Sequence, residues 1–140
     1  VAVGISIGLG FGENTQAMLI TRGLNEVARL CAAHGADPLS AAGLAGMGDL
    51  VATCGSPLSR NRTFGELLGK TGAMDLALSQ NAKTVEGVSS SGAILEIAHR
   101  VGVEAPVIEA VANIVSGSMS PTQALQWLME ITTKAENFIR

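Results

Sequence analysis

Apolar side chains recur along this chain at intervals of three and four residues, the period of an amphipathic helix. A helix is predicted over residues 15–34, where the apolar positions are Ile20, Leu24, Val27 and Cys31. The pattern returns repeatedly further along. The other predicted helices span residues 38–45, 50–52, 63–68, 73–79, 88–101, 107–114 and 121–131.

Capping and turn residues fall at the ends of these segments. Those suited to start or stop a helix are Asn14 or Thr15, Gly35, Gly69, and Ser120 followed by Pro121. No stretch alternates apolar and polar residues with the period of two that a half-buried strand shows. The sequence therefore predicts one compact all-α domain over residues 1–140.

The composition agrees with close-packed helices. Hydrophobic residues make up 47% of the chain, yet it has one Trp, three Phe and no Tyr, whereas sheets favour aromatic and β-branched residues. No apolar run reaches about 18 residues, so no membrane span is predicted, and residues 1–9 lack the basic start of a signal peptide. A net charge of −3 and the scarcity of aromatic side chains argue against nucleic-acid binding.

The cysteines and histidines do not form a metal-binding pattern. Cys31, Cys54, His34 and His99 show no ligand spacing, so no metal site is predicted. We interpret the two cysteines as small buried apolar residues of a protein in a reducing, cytoplasmic compartment.

Residues 8–12 read Gly-Leu-Gly-Phe-Gly and invite comparison with a dinucleotide-binding fingerprint. The third glycine of the fingerprint falls on Glu13, and no strand ending in an acidic residue follows about 20 residues later. We interpret the segment as a tight turn between helices in which backbone approaches backbone closely.

Residues 59–62 read Ser-Arg-Asn-Arg and lie where a loop leads into a predicted helix. Arginine offers a planar fork of donors that matches phosphate or carboxylate oxygens. A helix start adds free N–H groups and the positive end of the helix dipole. An anion site is one interpretation and a capped, solvated helix start is the other; the spacing leaves both open.

Three other charged residues have either a structural or a functional interpretation. Asp49 either caps a short helix or presents a carboxylate at a cleft. Glu86 is either a solvated acid near the positive end of a helix or an acceptor for a sugar hydroxyl. Arg22 is interpreted as a partly exposed side chain that pairs with Glu26 one turn later.

Six short motifs occur in order along the chain: residues 10–15 (GFGENT), 20–24 (ITRGL), 45–50 (AGMGDL), 53–54 (TC), 58–62 (LSRNR) and 85–87 (VEG). Together they resemble the bacterial NAD(P)-dependent sn-glycerol-3-phosphate dehydrogenases, and a late GVEAPV stretch at residues 102–107 extends the likeness. Each motif alone is modest, but six in order with compatible spacing are specific.

The resemblance implies a helical, substrate-binding C-terminal domain with the fold found in the 6-phosphogluconate dehydrogenase-like dehydrogenases. The family interconverts sn-glycerol 3-phosphate and dihydroxyacetone phosphate with NAD or NADP, and so supplies glycerol 3-phosphate for phospholipid synthesis. By resemblance, the substrate-binding positions are Asp49, Ser59, Arg60 and Asn61. The cofactor-binding positions are Arg60, Thr84 and Glu86.

Two departures from the family pattern qualify this expectation. The family's dinucleotide-binding Rossmann domain is absent from the 140 residues, and its catalytic lysine is expected upstream of Val1. Lys70, Lys83 and Lys134 do not match that lysine, so no catalytic residue is assigned within the chain. We expect NAD or NADP to be bound mainly by the missing domain. The sequence does not decide between NAD and NADP. It also leaves the oligomeric state open, with a homodimer as one alternative.

Two alternatives belong to other classes. One is a helical dimerisation or interaction module without chemistry, in which the apolar excess marks a partner interface. The other is the second domain of a related hydroxy-acid dehydrogenase. The run at residues 58–62 favours the phosphate substrate over the hydroxy acid.

Overall fold

The computed structural model describes residues 1–80 and 85–131 of the chain. Eight α-helices occupy these two ranges, which contain no strand, so the predicted all-α fold is confirmed. The helices are α1 (Ala2–Gly8), α2 (Glu13–Ala33), α3 (Asp49–Gly55), α4 (Arg60–Thr71), α5 (Met74–Gln80), α6 (Glu86–Arg100), α7 (Pro106–Val115) and α8 (Pro121–Ile131). None of the helices in this part of the chain is both long enough and apolar enough to cross a membrane.

Helices α1 and α4 cross with their backbones in contact because glycines line both sides of the crossing. Gly4 and Gly8 lie one turn apart on α1, and Gly65 and Gly69 lie one turn apart on α4. A Cβ atom on any of the four would overlap a backbone carbonyl oxygen of the facing segment. The crossing sets the start of α1 beside the start of α4.

The hydrophobic core surrounds this crossing. Phe64 and Leu68 of α4 are fully buried, and they belong to one cluster with Leu19 of α2 and with Leu125 and Leu128 of α8. Burial of each such side chain contributes about 1.5–3 kcal/mol. The core therefore holds α2, α4 and α8 around α1 and fixes the position of the α4 start.

A buried carboxylate joins α2 to α7. Glu26 is 1% exposed, and its two oxygens accept the backbone N–H groups of Val107 (2.7 Å) and Ile108 (3.1 Å) at the start of α7. Arg22 donates instead to the carbonyl oxygen of Leu128, at 2.5 Å. The predicted pairing of Arg22 with Glu26 is therefore wrong, because distant helix ends offer both side chains unsatisfied backbone groups.

The predicted bounds of α4 were too narrow. α4 begins at Arg60, not Thr63, because Ser59 is its N-cap and accepts the N–H of Arg62 at 3.2 Å. Gly69 does not close the helix. The helix ends at Thr71 and is capped by Gly72, whose φ of 65° is the left-handed conformation that glycine adopts readily.

The predicted ends of other helices were partly right. Gly35 ends α2 with a φ of 82°, and Ser120 caps α8 by accepting the N–H of Gln123, as predicted. Asn14 and Thr15 do not cap α2, because both lie inside it and Gly12 is the N-cap. The expected tight turn at residues 8–12 does connect α1 to α2, with Gly10 at a φ of 85°.

The sequence analysis gave no range for helix α1, although it placed a turn between helices at residues 8–12, and residues 38–45 do not form one helix. Val3 and Ile5 of α1 are buried, and a short helix that is apolar all round shows no amphipathic period. Residues 38–48 fold as a 3-10 turn, Pro38–Ala42, and a π turn, Leu44–Gly48, with Gly43 extended between them. The π turn runs directly into α3.

Candidate functional site

The starts of α4 and α6 meet at one hydrogen bond. Asn61, the second residue of α4, accepts the backbone N–H of Gly87, the second residue of α6, through its side-chain oxygen at 2.9 Å. Both helices thus turn their positive ends and unsatisfied N–H groups to the same region. Such an arrangement suits an anionic or oxygen-rich ligand.

Ser59 and Arg60 stand at this meeting point. The Ser59 hydroxyl is occupied as the cap of α4, so the capping interpretation of this residue is correct in geometry. Its carbonyl oxygen accepts the hydroxyl of Thr63 at 2.8 Å. Arg60, the first residue of α4, is exposed to solvent.

Arg62 is differently placed from Arg60. Its side chain is 18% exposed, and its guanidinium lies 3.8 Å from the carboxylate of Glu66. Lys70 also pairs with Glu66, at 2.6 Å, and this hydrogen bond holds the pKa of the Glu66 carboxyl below its usual range. Arg62 is thus partly buried and paired within α4, and among the described residues its Nε is buried without a hydrogen-bond partner, whereas Arg60 is exposed.

A cavity of about 270 Å³ opens beside the two helix starts. Its wall is mainly apolar, with side chains from α2, α3, α6 and α7, and its polar groups include Asn61, Thr53 and Ser90. The Ser90 hydroxyl donates to the carbonyl oxygen of Glu86 at 2.6 Å. Cys54 also lines the cavity, and burial raises the pKa of its thiol, so the group stays protonated. A mostly apolar cavity with a few polar groups is typical of small-molecule sites.

Asp49 is the first residue of α3 and not its N-cap. The helical conformation of Gly48 continues the π turn into α3, which leaves no cap position for Asp49. Its carboxylate is exposed and lies one turn before Thr53, on the same helix face. Within the two described ranges, no hydrogen bond joins Asp49 to Ser59 or Asn61.

Glu86 lies beside the Asn61–Gly87 bond as the first residue of α6. Its side chain is exposed, and a carboxylate at this helix position is favoured by the dipole. Thr84, the other candidate cofactor position, lies outside the described residues. In the part of the chain that is described, no three His, Cys, Asp or Glu side chains gather as a metal site.

Two residues of the site region escaped the sequence analysis. Gly87 was quoted only as part of a motif, and Glu26 only as a partner for Arg22. A glycine near the start of a helix is a signal of close backbone approach, but the predicted helix began at residue 88, which left Gly87 outside it. The burial of Glu26 has no such signal in its local sequence.

The comparisons with known proteins agree with one another. A family model described as "NAD-dependent glycerol-3-phosphate dehydrogenase C-terminus" matches residues 1–126. A glycerol-3-phosphate dehydrogenase [NAD(P)+] of Thermobifida fusca is 51% identical over 138 residues, which is 99% of this chain and 41% of that protein. The namesake from Corynebacterium glutamicum (strain R) is 52% identical over 137 residues, covering 97% of this chain and 41% of the relative.

A comparison with solved structures finds a protein of the same name. The crystal structure of glycerol-3-phosphate dehydrogenase from Coxiella burnetii matches with a TM-score of 0.88 and 40% identity, over 92% of this chain and 40% of that one. The chain therefore spans about two fifths of the length of the relatives that it matches.

Proposed function

We propose that this chain, which belongs to the family of NAD-dependent glycerol-3-phosphate dehydrogenase C-terminal domains, binds the substrate of an enzyme that interconverts sn-glycerol 3-phosphate and dihydroxyacetone phosphate. The observation that carries the proposal is the bond between Asn61 and Gly87. This bond brings residues 59–61 beside Glu86. Substrate and nicotinamide must lie in contact for hydride transfer, and two adjacent helix starts meet that need.

The side chains at the α4 start suit a phosphorylated three-carbon substrate. The Arg60 guanidinium would hold the phosphate, because its planar fork pairs with two phosphate oxygens. The Asn61 amide would bind a substrate oxygen, and the Ser59 hydroxyl would add a weaker contact. Asp49 would accept a hydrogen bond from a substrate hydroxyl and so orient the reacting carbon.

The groups near Glu86 fit a dinucleotide. An exposed carboxylate accepts the hydroxyls of a ribose, and Arg60 can pair with a phosphate of the same ligand. Bound NAD or NADP would supply the hydride chemistry. Thr84 is the third proposed contact, by resemblance. We assign the larger part of cofactor binding to a preceding dinucleotide-binding domain.

Two observations support a further domain. The relatives are more than twice as long as this chain. Leu44 and Leu58, which flank α3, are 91% and 90% exposed, and apolar side chains this exposed are often covered by another domain. The proposed general acid/base is a lysine of that further part. We place the enzyme in the cytoplasm, where its product serves phospholipid synthesis.

Replacement of Arg60 tests the proposed function. In the full-length enzyme, Arg60→Ala should lower kcat/KM for dihydroxyacetone phosphate by roughly 10- to 150-fold, the value of one charge-assisted hydrogen bond. Arg60→Lys should recover little, because lysine keeps the charge but loses the planar fork. The free energy of unfolding should change by only about 0.5 kcal/mol, as for other surface substitutions.

The matched control is Arg100→Ala. Arg100 is exposed and ends α6, at the opposite end from Glu86. Its replacement should leave kcat/KM unchanged. Steady-state kinetics and melting temperatures of the variants test whether Arg60 binds the substrate anion. Near-normal kcat/KM for Arg60→Ala, or a loss that merely follows a lower melting temperature, would refute the anion site.

A second prediction concerns the 140-residue chain by itself. Purified residues 1–140 should not reduce dihydroxyacetone phosphate with NADH or NADPH, because the proposed lysine and most of the cofactor site belong to another part of the enzyme. A spectrophotometric assay of NADH or NADPH consumption measures this. Turnover by the isolated chain would contradict the proposed division of roles.

A further inference from the structure

Gly87 fixes the orientation of the Asn61 amide. A backbone N–H can only donate, so the amide atom that lies 2.9 Å from it must be the oxygen, Oδ1. This leaves Nδ2, with two N–H donors, on the other branch of the amide. Asn61 also lines the 270 Å³ cavity. The donor branch of the amide, Nδ2, is thus the one that the bond to Gly87 leaves unengaged.

A side chain at residue 87 would press on this bond. A Cβ atom at this position would lie 2.6 Å from Asn61 Oδ1 and 3.0 Å from Val1 Cγ2. The first separation is far below the roughly 3.5 Å of a favourable non-bonded contact. Because Gly87 belongs to α6 and cannot move alone, the added carbon would displace the amide of Asn61.

We propose that Gly87 is a positioning residue of the substrate site. Its N–H group and its lack of a side chain hold the Asn61 amide so that Nδ2 donates to an acceptor oxygen of the bound substrate. This assignment rests on the proposed function, which puts Asn61 at the substrate. A donor already fixed in place binds more strongly, because little side-chain freedom remains to be lost on binding.

The test compares two glycine-to-alanine changes on the same helix of the full-length enzyme. Gly87→Ala should lower kcat/KM for dihydroxyacetone phosphate at least about tenfold at saturating cofactor. Gly92→Ala is the matched control, because a Cβ on Gly92 meets no atom within 4 Å. It should leave kcat/KM within about twofold of wild type. Wild-type kcat/KM for Gly87→Ala would overturn the proposal.

A double-mutant cycle separates positioning from a general distortion of α6. In the Asn61→Ala background, Gly87→Ala should change kcat/KM by less than about twofold, because the group it displaces is gone. An equal loss in both backgrounds would overturn the proposal. If Gly87→Ala alone does not fold, the double variant decides: recovered folding supports a clash with the amide, and failure to recover overturns it.

Asn61→Asp examines the donor itself. The aspartate still offers an oxygen to the Gly87 N–H, so the melting temperature should stay close to wild type. It has no Nδ2, so kcat/KM should fall at least as far as in Asn61→Ala. Retained kcat/KM would overturn the donor assignment. If the wild-type enzyme reduces dihydroxyacetone phosphate and Gly87→Ala does so equally well, only the role of Gly87 is refuted. If the wild-type enzyme does not reduce dihydroxyacetone phosphate at all, the proposed function is refuted as well.

Discussion

Gly69→Ala should destabilise the chain by about 3 kcal/mol or more and lower its melting temperature by roughly 10 °C. Gly69 is buried in the crossing of α1 and α4, and a Cβ atom there would overlap the carbonyl oxygen of Ile5. The overlapping group is backbone, so no rotamer change relieves it. The two helices must move apart, which loosens the packing of Phe64 and Leu68 beneath them.

The control for this prediction is the same substitution at Gly92. Gly92 is exposed in the middle of α6, and an added Cβ meets nothing. Alanine there should stabilise the protein by about 0.5–1 kcal/mol, because it lowers the conformational freedom of the unfolded chain. Thermal and urea unfolding of both variants measure the difference. Equal effects of the two substitutions would show that the helix crossing tolerates a side chain.

The stability of the folded chain should fall as the pH rises from about 4.5 to about 7, through Glu26. Burial is the largest influence on this carboxyl and raises its pKa from 4.5 to about 7, although the N–H groups of Val107 and Ile108 and the charges of Arg29 and Arg22 oppose the shift. Between these two pH values the folded protein keeps a proton that the unfolded chain has released. The folded state is thus progressively disfavoured as pH rises, by about 3 kcal/mol for a shift of about 2.5 units.

Glu26→Gln isolates this contribution. The glutamine side chain does not titrate, whereas the exposed His34 and His99 are the same in both proteins. We expect the free energy of unfolding of wild type, minus that of the variant, to decrease by about 3 kcal/mol between pH 4.5 and pH 7.5. Urea unfolding at several pH values gives this difference. A constant or rising difference would contradict the raised pKa.

The helical fold was largely predictable from the sequence. The apolar period of α2, α6, α7 and α8 was sufficient to assign them, because residues three and four apart share a helix face whatever surrounds it. Gly35 and Ser120 were predicted correctly as helix ends for the same reason, since a cap acts on N–H or C=O groups within a few residues of itself.

The candidate site was predictable only in part. Local chemistry singled out residues 59–62 as a helix start rich in donors, and the structure has that helix start. Local chemistry gave no way to choose between Arg60 and Arg62. The structure places them differently, because Arg60 is exposed whereas Arg62 is partly buried and paired with Glu66; the role of Arg60 stays a prediction. The substrate and cofactor roles of the site residues were inferred from the family resemblance and remain predictions.

The sequence by itself determined which segments are helical and where several of them end, because those features depend on neighbours within one or two turns. Only the tertiary structure decided the features that join distant segments. The Asn61–Gly87 bond spans 26 residues, the Glu26–Val107 bond 81, and the Arg22–Leu128 bond 106. Gly69 illustrates the difference: next to Lys70 it has the pattern of a helix stop, yet it lies inside α4, because burial against α1 outweighs the weak local preference of a glycine to end a helix.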